Sequence, residues 1–165
     1  MRRLTIALGS VVLAGAAAAI WACGSSTSPS SSVVYSIQLS PANETPPVQN
    51  GENVARGTAV ITIHKDTNTV DFAVSVNSFP SGSSLLAAHI HGPNAPAGVA
   101  AGVLISTTMS AGNAPALVNG GATFNFNGIS ASADLISQIL ASPTTFYFNV
   151  HSAQNPGGVM RGQLQ

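Results

Sequence analysis

Two stretches near the middle of the chain alternate polar and apolar residues with period two, and four polar residues separate them. Thr58-Ala59-Val60-Ile61-Thr62-Ile63-His64 runs into Lys65-Asp66-Thr67-Asn68 and then Thr69-Val70-Asp71-Phe72-Ala73-Val74-Ser75-Val76. Side chains alternate between the faces of a strand, so Val70, Phe72, Val74 and Val76 share one face while Asp71, Ala73 and Ser75 share the other. A helix would scatter that pattern around its axis; an antiparallel hairpin with one buried face uses it. Further runs at Val33–Leu39, Leu85–His91, Val103–Thr107, Ala122–Asn127, Thr144–His151 and Val159–Leu164 are parted by turn-rich pieces such as Gly92-Pro93-Asn94 and Asn155-Pro156-Gly157-Gly158. About eight short strands predict an all-β fold, an antiparallel Greek-key sandwich or barrel. One short helix is expected over Ser132–Ala141, with Ser132 as its cap, Leu135, Ile136, Ile139 and Leu140 at helical spacing, and Pro143 ending it.

The amino terminus reads as an address. Met1-Arg2-Arg3 is a basic start, and Leu4 to Ala22 is an uncharged apolar run, the layout of a secretory signal peptide. Ile20-Trp21-Ala22-Cys23 resembles the bacterial lipobox, and Cys23 is the single cysteine of the chain. The resemblance implies cleavage before Cys23, which then carries lipid (palmitate among its acyl chains). Several acyl chains bury enough CH₂ groups to anchor a protein without spanning the bilayer. Gly24 to Ser32 lacks large apolar side chains and reads as a flexible tether reaching roughly 30 Å when extended. The expected organisation is a signal peptide over 1–22, a tether over 23–32 and one domain over 33–165, placed on the periplasmic or cell-surface side of a bacterial envelope.

Charge excludes one class of partner. The 165 residues hold five Lys and Arg against five Asp and Glu. Loss of the leader would leave three basic and five acidic residues, so there is no electrostatic footprint for nucleic acid. With the surface built from Ser, Thr, Asn and Gln, a neutral protein or glycan is the expected extracellular partner.

Four groups then fall in order: Leu39-Ser40-Pro41-Ala42-Asn43-Glu44-Thr45-Pro46-Pro47-Val48, Ala88-His89-Ile90-His91-Gly92, Phe148-Asn149-Val150-His151-Ser152 and Asn155-Pro156-Gly157-Gly158-Val159-Met160-Arg161-Gly162-Gln163-Leu164. Together they resemble the CHRD (chordin-type) domain from about Leu39 to Leu164. The resemblance implies an extracytoplasmic β-domain of the kind found in the secreted animal protein chordin and in many exported bacterial proteins; it supplies no reaction. Met160 stands where the family often has an acidic residue and is expected at the surface.

His89 and His91 are one residue apart in a strand, so both point to the same face, with Leu86, Ala88 and Ile90 expected to face the core. In the strand ending at His151, Phe146, Phe148 and Val150 point inward and Tyr147, Asn149 and His151 outward. If the two strands are neighbours, His89, His91 and His151 converge as the ligand set of an open zinc or copper site. The alternative is that these histidines bond to loops crossing the sheet. Tyr147 and Asn149, on the same face, are candidates to support either arrangement. Glu44 and Arg161 stand alone in uncharged stretches and are expected to pair, pinning the segment before Pro46-Pro47 to the last strand. His64, at a hairpin end, is expected to be solvated, as are Arg56 and Asp71.

No nucleophile elbow, phosphate loop or dinucleotide fingerprint is present, and no residue is singled out as catalytic. The expectation is therefore a lipid-tethered binding module rather than an enzyme. A copper- or zinc-binding metalloprotein and a structural envelope protein are the alternatives.

Overall fold

The computed structural model describes residues 31–165; the leader, Cys23 and all but the last two residues of the tether lie outside them. Eight strands form two four-stranded sheets: β1 (Ser32–Leu39), β2 (Arg56–His64), β3 (Thr69–Asn77) and β6 (Ala122–Ser130) in the order β1-β2-β3-β6, and β4 (Leu85–His91), β5 (Val103–Ser106), β7 (Tyr147–Ser152) and β8 (Met160–Gln163) in the order β5-β4-β7-β8. Every strand pairing is antiparallel. The sheets face each other as an open sandwich, which decides between the two predicted architectures. Among the described residues, no helix is long and apolar enough to cross a membrane.

The predicted alternation is what fills the interior. Val70, Phe72, Val74 and Val76 of β3 and Ala59, Ile61 and Ile63 of β2 are buried, and they meet Ala88, Ile90, Phe148 and Val150 of the other sheet. Phe72 and Phe148 join the layers, with ring centroids 5.6 Å apart. Each such aromatic, fully desolvated, contributes on the order of 2–3 kcal/mol. Helix α1 (Ala133–Ala141) starts where expected: the Ser132 hydroxyl accepts from the Leu135 N–H, and Ile136 and Ile139 turn into the core.

One end of the sandwich is cinched. Ser40 and Arg161 exchange backbone hydrogen bonds of 3.1 and 3.3 Å, bringing the β1 edge to β8. Gly162 makes this approach feasible, since a β-carbon there would stand 2.3 Å from the Gln38 carbonyl oxygen.

Several local expectations are corrected. Leu85 rather than Leu86 enters the core, because the β4–β7 register shifts between Leu85 and Ala87. Met160 is fully buried, its sulfur filling the space above Gly57. Residues 143–145 form a 3-10 turn instead of the start of β7. His64 is not simply solvated: its Nδ1 meets the Ser32 hydroxyl and its Nε2 meets Asp71 Oδ2, both at 2.9 Å. Asp71 Oδ1 also accepts from the Gly128 N–H at 2.7 Å, beside the bulge between β3 and β6. Ser32, His64, Asp71 and Gly128 thus tie all four strands of one sheet together on its outer face, and that backbone bond together with His64 holds the Asp71 carboxyl below its usual range.

Candidate metal centre

β4 and β7 are neighbours, and their register sets the site. Ala87 pairs with His151, His89 with Asn149, and His91 with Tyr147; on the far side of β7, Asn149 pairs with Arg161 of β8. All of these side chains except Ala87 are large and polar or amphipathic, and they share the face turned away from the core. The structure brings His89, His91 and His151 together, with one ring nitrogen of each within 4.8 Å of the others.

That face is outward but not open. Tyr147, Asn149 and His151 are all buried, as is His91, because three loops cross it. His91 Nδ1 lies 2.9 Å from the Ala101 carbonyl oxygen, and His151 Nδ1 lies 2.9 Å from that of Pro156. A carbonyl can only accept, so both rings carry their proton on Nδ1 and keep a lone pair on Nε2. Loop bonding and metal binding, alternatives in the sequence, therefore use different nitrogens of the same rings. Carbonyl-fixed Nδ1–H groups of this kind orient imidazole ligands at metal sites.

His151 Nε2 faces His89 Nδ1 at 3.0 Å, so His89 donates to it. His91 Nε2 is buried with no hydrogen-bond partner. Burial pushes all three histidines below their usual range, His89 to about 4, where the neighbouring imidazoles add to the effect. At neutral pH the cluster is three uncharged imidazoles: the Nε2 lone pair of His91 is free, that of His151 accepts from His89, and a metal would take the place of the shared proton between them.

The supporting residues are as specific. Tyr147 stacks flat on His91, centroids 4.8 Å apart and planes 2° from parallel, and its hydroxyl accepts from the Ala101 N–H. On the other face of Tyr147 lies the Arg161 guanidinium, 4.4 Å from the ring centre. Arg161 donates through Nε to the Asn43 carbonyl, through Nη1 to that of Val99 at 3.0 Å, and through Nη2 to the Thr45 hydroxyl. Its contact with Glu44 is a single 3.9 Å approach of Nε to Oε2 rather than a fork. Arg161 therefore pins the segment before Pro46-Pro47 through the Asn43 carbonyl and the Thr45 hydroxyl, and ties the loop at Val99 to it through a second carbonyl. Burial raises the Glu44 carboxyl to about 7, against the pull of Arg161 and of the Asn149 amide.

Glu52 was missed by the sequence reading. It is fully buried, and its Oε2 accepts from the Ser152 hydroxyl and from Asn155 Nδ2 at 2.6 Å. These bonds hold the turn that carries Pro156, and through it the His151 ring. Nothing local in Asn50-Gly51-Glu52-Asn53 distinguishes this acid from a solvated one. At the β1–β8 edge, Ser36, Gln38, Asn43, Thr45 and Gln165 line a groove of about 720 Å³ with Glu44 in its wall.

The depressed histidines set a pH dependence for the metal-free protein. Between about 6.5 and 4 the unfolded chain takes up protons that folded His89 refuses, so stability falls as pH drops through that window. Glu44 acts in the opposite sense, since between about 4.5 and 7 the folded state holds a proton that the unfolded state has lost. With three histidines against one carboxyl, the urea midpoint should decrease from pH 7 to pH 4.5. The same measurement on a His89→Ala, His151→Ala variant should show the decrease flattened or reversed; an equal decrease in both proteins would contradict the assignment.

A family model, the CHRD domain, matches residues 35–164. No curated protein and no solved structure matches the chain.

Proposed function

The chain belongs to the CHRD domain family, and from that premise we propose that it is an extracytoplasmic binding module, lipid-tethered through Cys23, whose three-histidine face holds a copper or zinc ion. The observation that carries the metal reading is the pair of rings whose Nδ1–H groups are committed to the Ala101 and Pro156 carbonyls. That leaves neutral, directed Nε2 donors beside His89. Three imidazoles with room for a further ligand suit zinc, and the general order of divalent affinities places copper(II) above it. Such an ion would be bound as a Lewis acid with an exchangeable position; His91, His151 and His89 hold it, while Tyr147 and the loops keep the rings in place.

The tether follows from the basic start, the apolar run and the lone Cys23. A lipid anchor would leave the domain near the membrane but free to turn, the arrangement of a protein that captures a small ligand outside the cytoplasm.

One fractionation experiment tests both parts. The full chain, purified without a polyhistidine tag after growth with copper and zinc, should be recovered from membranes with one metal ion per chain by elemental analysis. Mass spectrometry of the wild-type protein should find residues 1–22 removed and acyl chains on Cys23, Cys23→Ser should show neither change while retaining its metal, and His89→Ala with His151→Ala should remove the metal while leaving the protein on the membrane. Metal-free wild-type protein would sink the metal reading, and a wild-type Cys23 without acyl chains would sink the lipid anchor.

A further inference from the structure

We propose that Asn149 is a fourth protein ligand of the same site, its side-chain oxygen turned to the metal by Glu44. The inference rests on the metal reading above and deepens it.

Asn149 occupies the middle of the constellation. It faces His89 across β4, faces Arg161 across β8, and lies between Tyr147 and His151 along its own strand face. It is 1% exposed, and its Oδ1 makes no well-formed hydrogen bond, while its amide lies close enough to the His91 ring to favour that ring's charged form. His91 Nε2, in the same cluster, is buried and unpartnered too. A desolvated acceptor with nothing to accept from destabilises the fold that buries it. Two such acceptors on one small patch share a shortage of positive charge, which a single cation relieves.

The orientation of the amide is fixed from behind. Gly158 has φ +135°, and a β-carbon there would stand 2.6 Å from Glu44 Oε1 and 2.8 Å from Asn149 Nδ2. The carboxylate and the amide nitrogen thus lie side by side over a residue that must be glycine. The carboxylate accepts and the Nδ2 group donates, so the nitrogen belongs on the Glu44 side and the oxygen on the other. Glu44 and Gly158 are positioning residues in this arrangement; neither touches the metal. The donor set becomes three imidazole nitrogens and one neutral amide oxygen, with no carboxylate bound. The bound ion keeps its full charge, and the exogenous ligand suited to it is a small anion such as hydroxide.

The test uses the full chain and zinc as the probe. One equivalent of zinc should shift the side-chain carbonyl ¹³C resonance of Asn149 together with the histidine resonances. Asn149→Leu should bind zinc at least about tenfold more weakly, whereas Asn149→Asp, which keeps an oxygen donor, should retain binding. Histidine shifts without an Asn149 shift, or wild-type affinity in Asn149→Leu, would overturn the fourth ligand and leave the three-histidine site standing. No shift at either would overturn both. Should Asn149→Leu fail to fold, the wild-type resonance still decides.

Discussion

Zinc at a thousand times its dissociation constant should stabilise the folded protein by about 4 kcal/mol, because a ligand that binds only the native state adds RT ln(1 + [L]/Kd). For a domain of this size that is a rise in thermal midpoint of roughly 10 °C. The premise is that the donors exist as a set only in the fold: the nitrogens of His89, His91 and His151 come within 4.8 Å because β4 and β7 are paired in one register. The shift should vanish in His89→Ala with His151→Ala and persist in a His64 variant, since His64 lies on the other sheet, bonded to Asp71 and Ser32. Binding to the unfolded chain would reduce the effect, so the double variant also measures that background. A midpoint unmoved by zinc or copper in the wild-type protein would contradict the site.

Replacing Arg161 by Met should cost about 3–5 kcal/mol, the range for removing one member of a buried charged network. That is a large share of the 5–15 kcal/mol by which a domain of this kind is ordinarily stable. Arg161 is 1% exposed, and its guanidinium serves Asn43, Val99 and Thr45 while covering Tyr147. Met fills much of the volume but leaves two carbonyls and a hydroxyl without their donor. It also removes the charge that holds down the Glu44 carboxyl, so that group stays protonated to higher pH. Arg161→Lys should recover little, because a single ammonium group cannot reach three diverging acceptors. Urea unfolding of the three proteins measures this; a loss under about 1 kcal/mol in Arg161→Met would show that the loops hold without it.

Strand positions were legible because a half-buried sheet writes its period directly into the chain, as in Val70, Phe72, Val74 and Val76. The convergence of His89, His91 and His151 was legible for the same reason, once β4 and β7 were taken as neighbours. What lies over a sheet is not written locally. Tyr147, Asn149 and His151 alternate as outward residues should, yet they are buried under loops near Ala101 and Pro156 that are distant from one another in sequence. Glu52 owes its burial to Ser152 and Asn155, a hundred residues further along. Met160 follows the same logic: only the pairing of β2 with β3 and the approach of β8 reveal that Gly57 leaves a space for its sulfur. Leu85 displaces Leu86 through a register shift that no alternation pattern predicts.

The most direct measurement of the central claim is side-chain nitrogen NMR of the histidines, recorded without metal and with one equivalent of zinc. The account predicts that His91 and His151 carry protonated Nδ1 and unprotonated Nε2 before zinc is added. It then predicts large shifts at both Nε2 atoms and at one nitrogen of His89, with the Nδ1–H signals of His91 and His151 retained and His64 unchanged. Protonated Nε2 in the metal-free protein, or spectra that zinc leaves as they were, would contradict it.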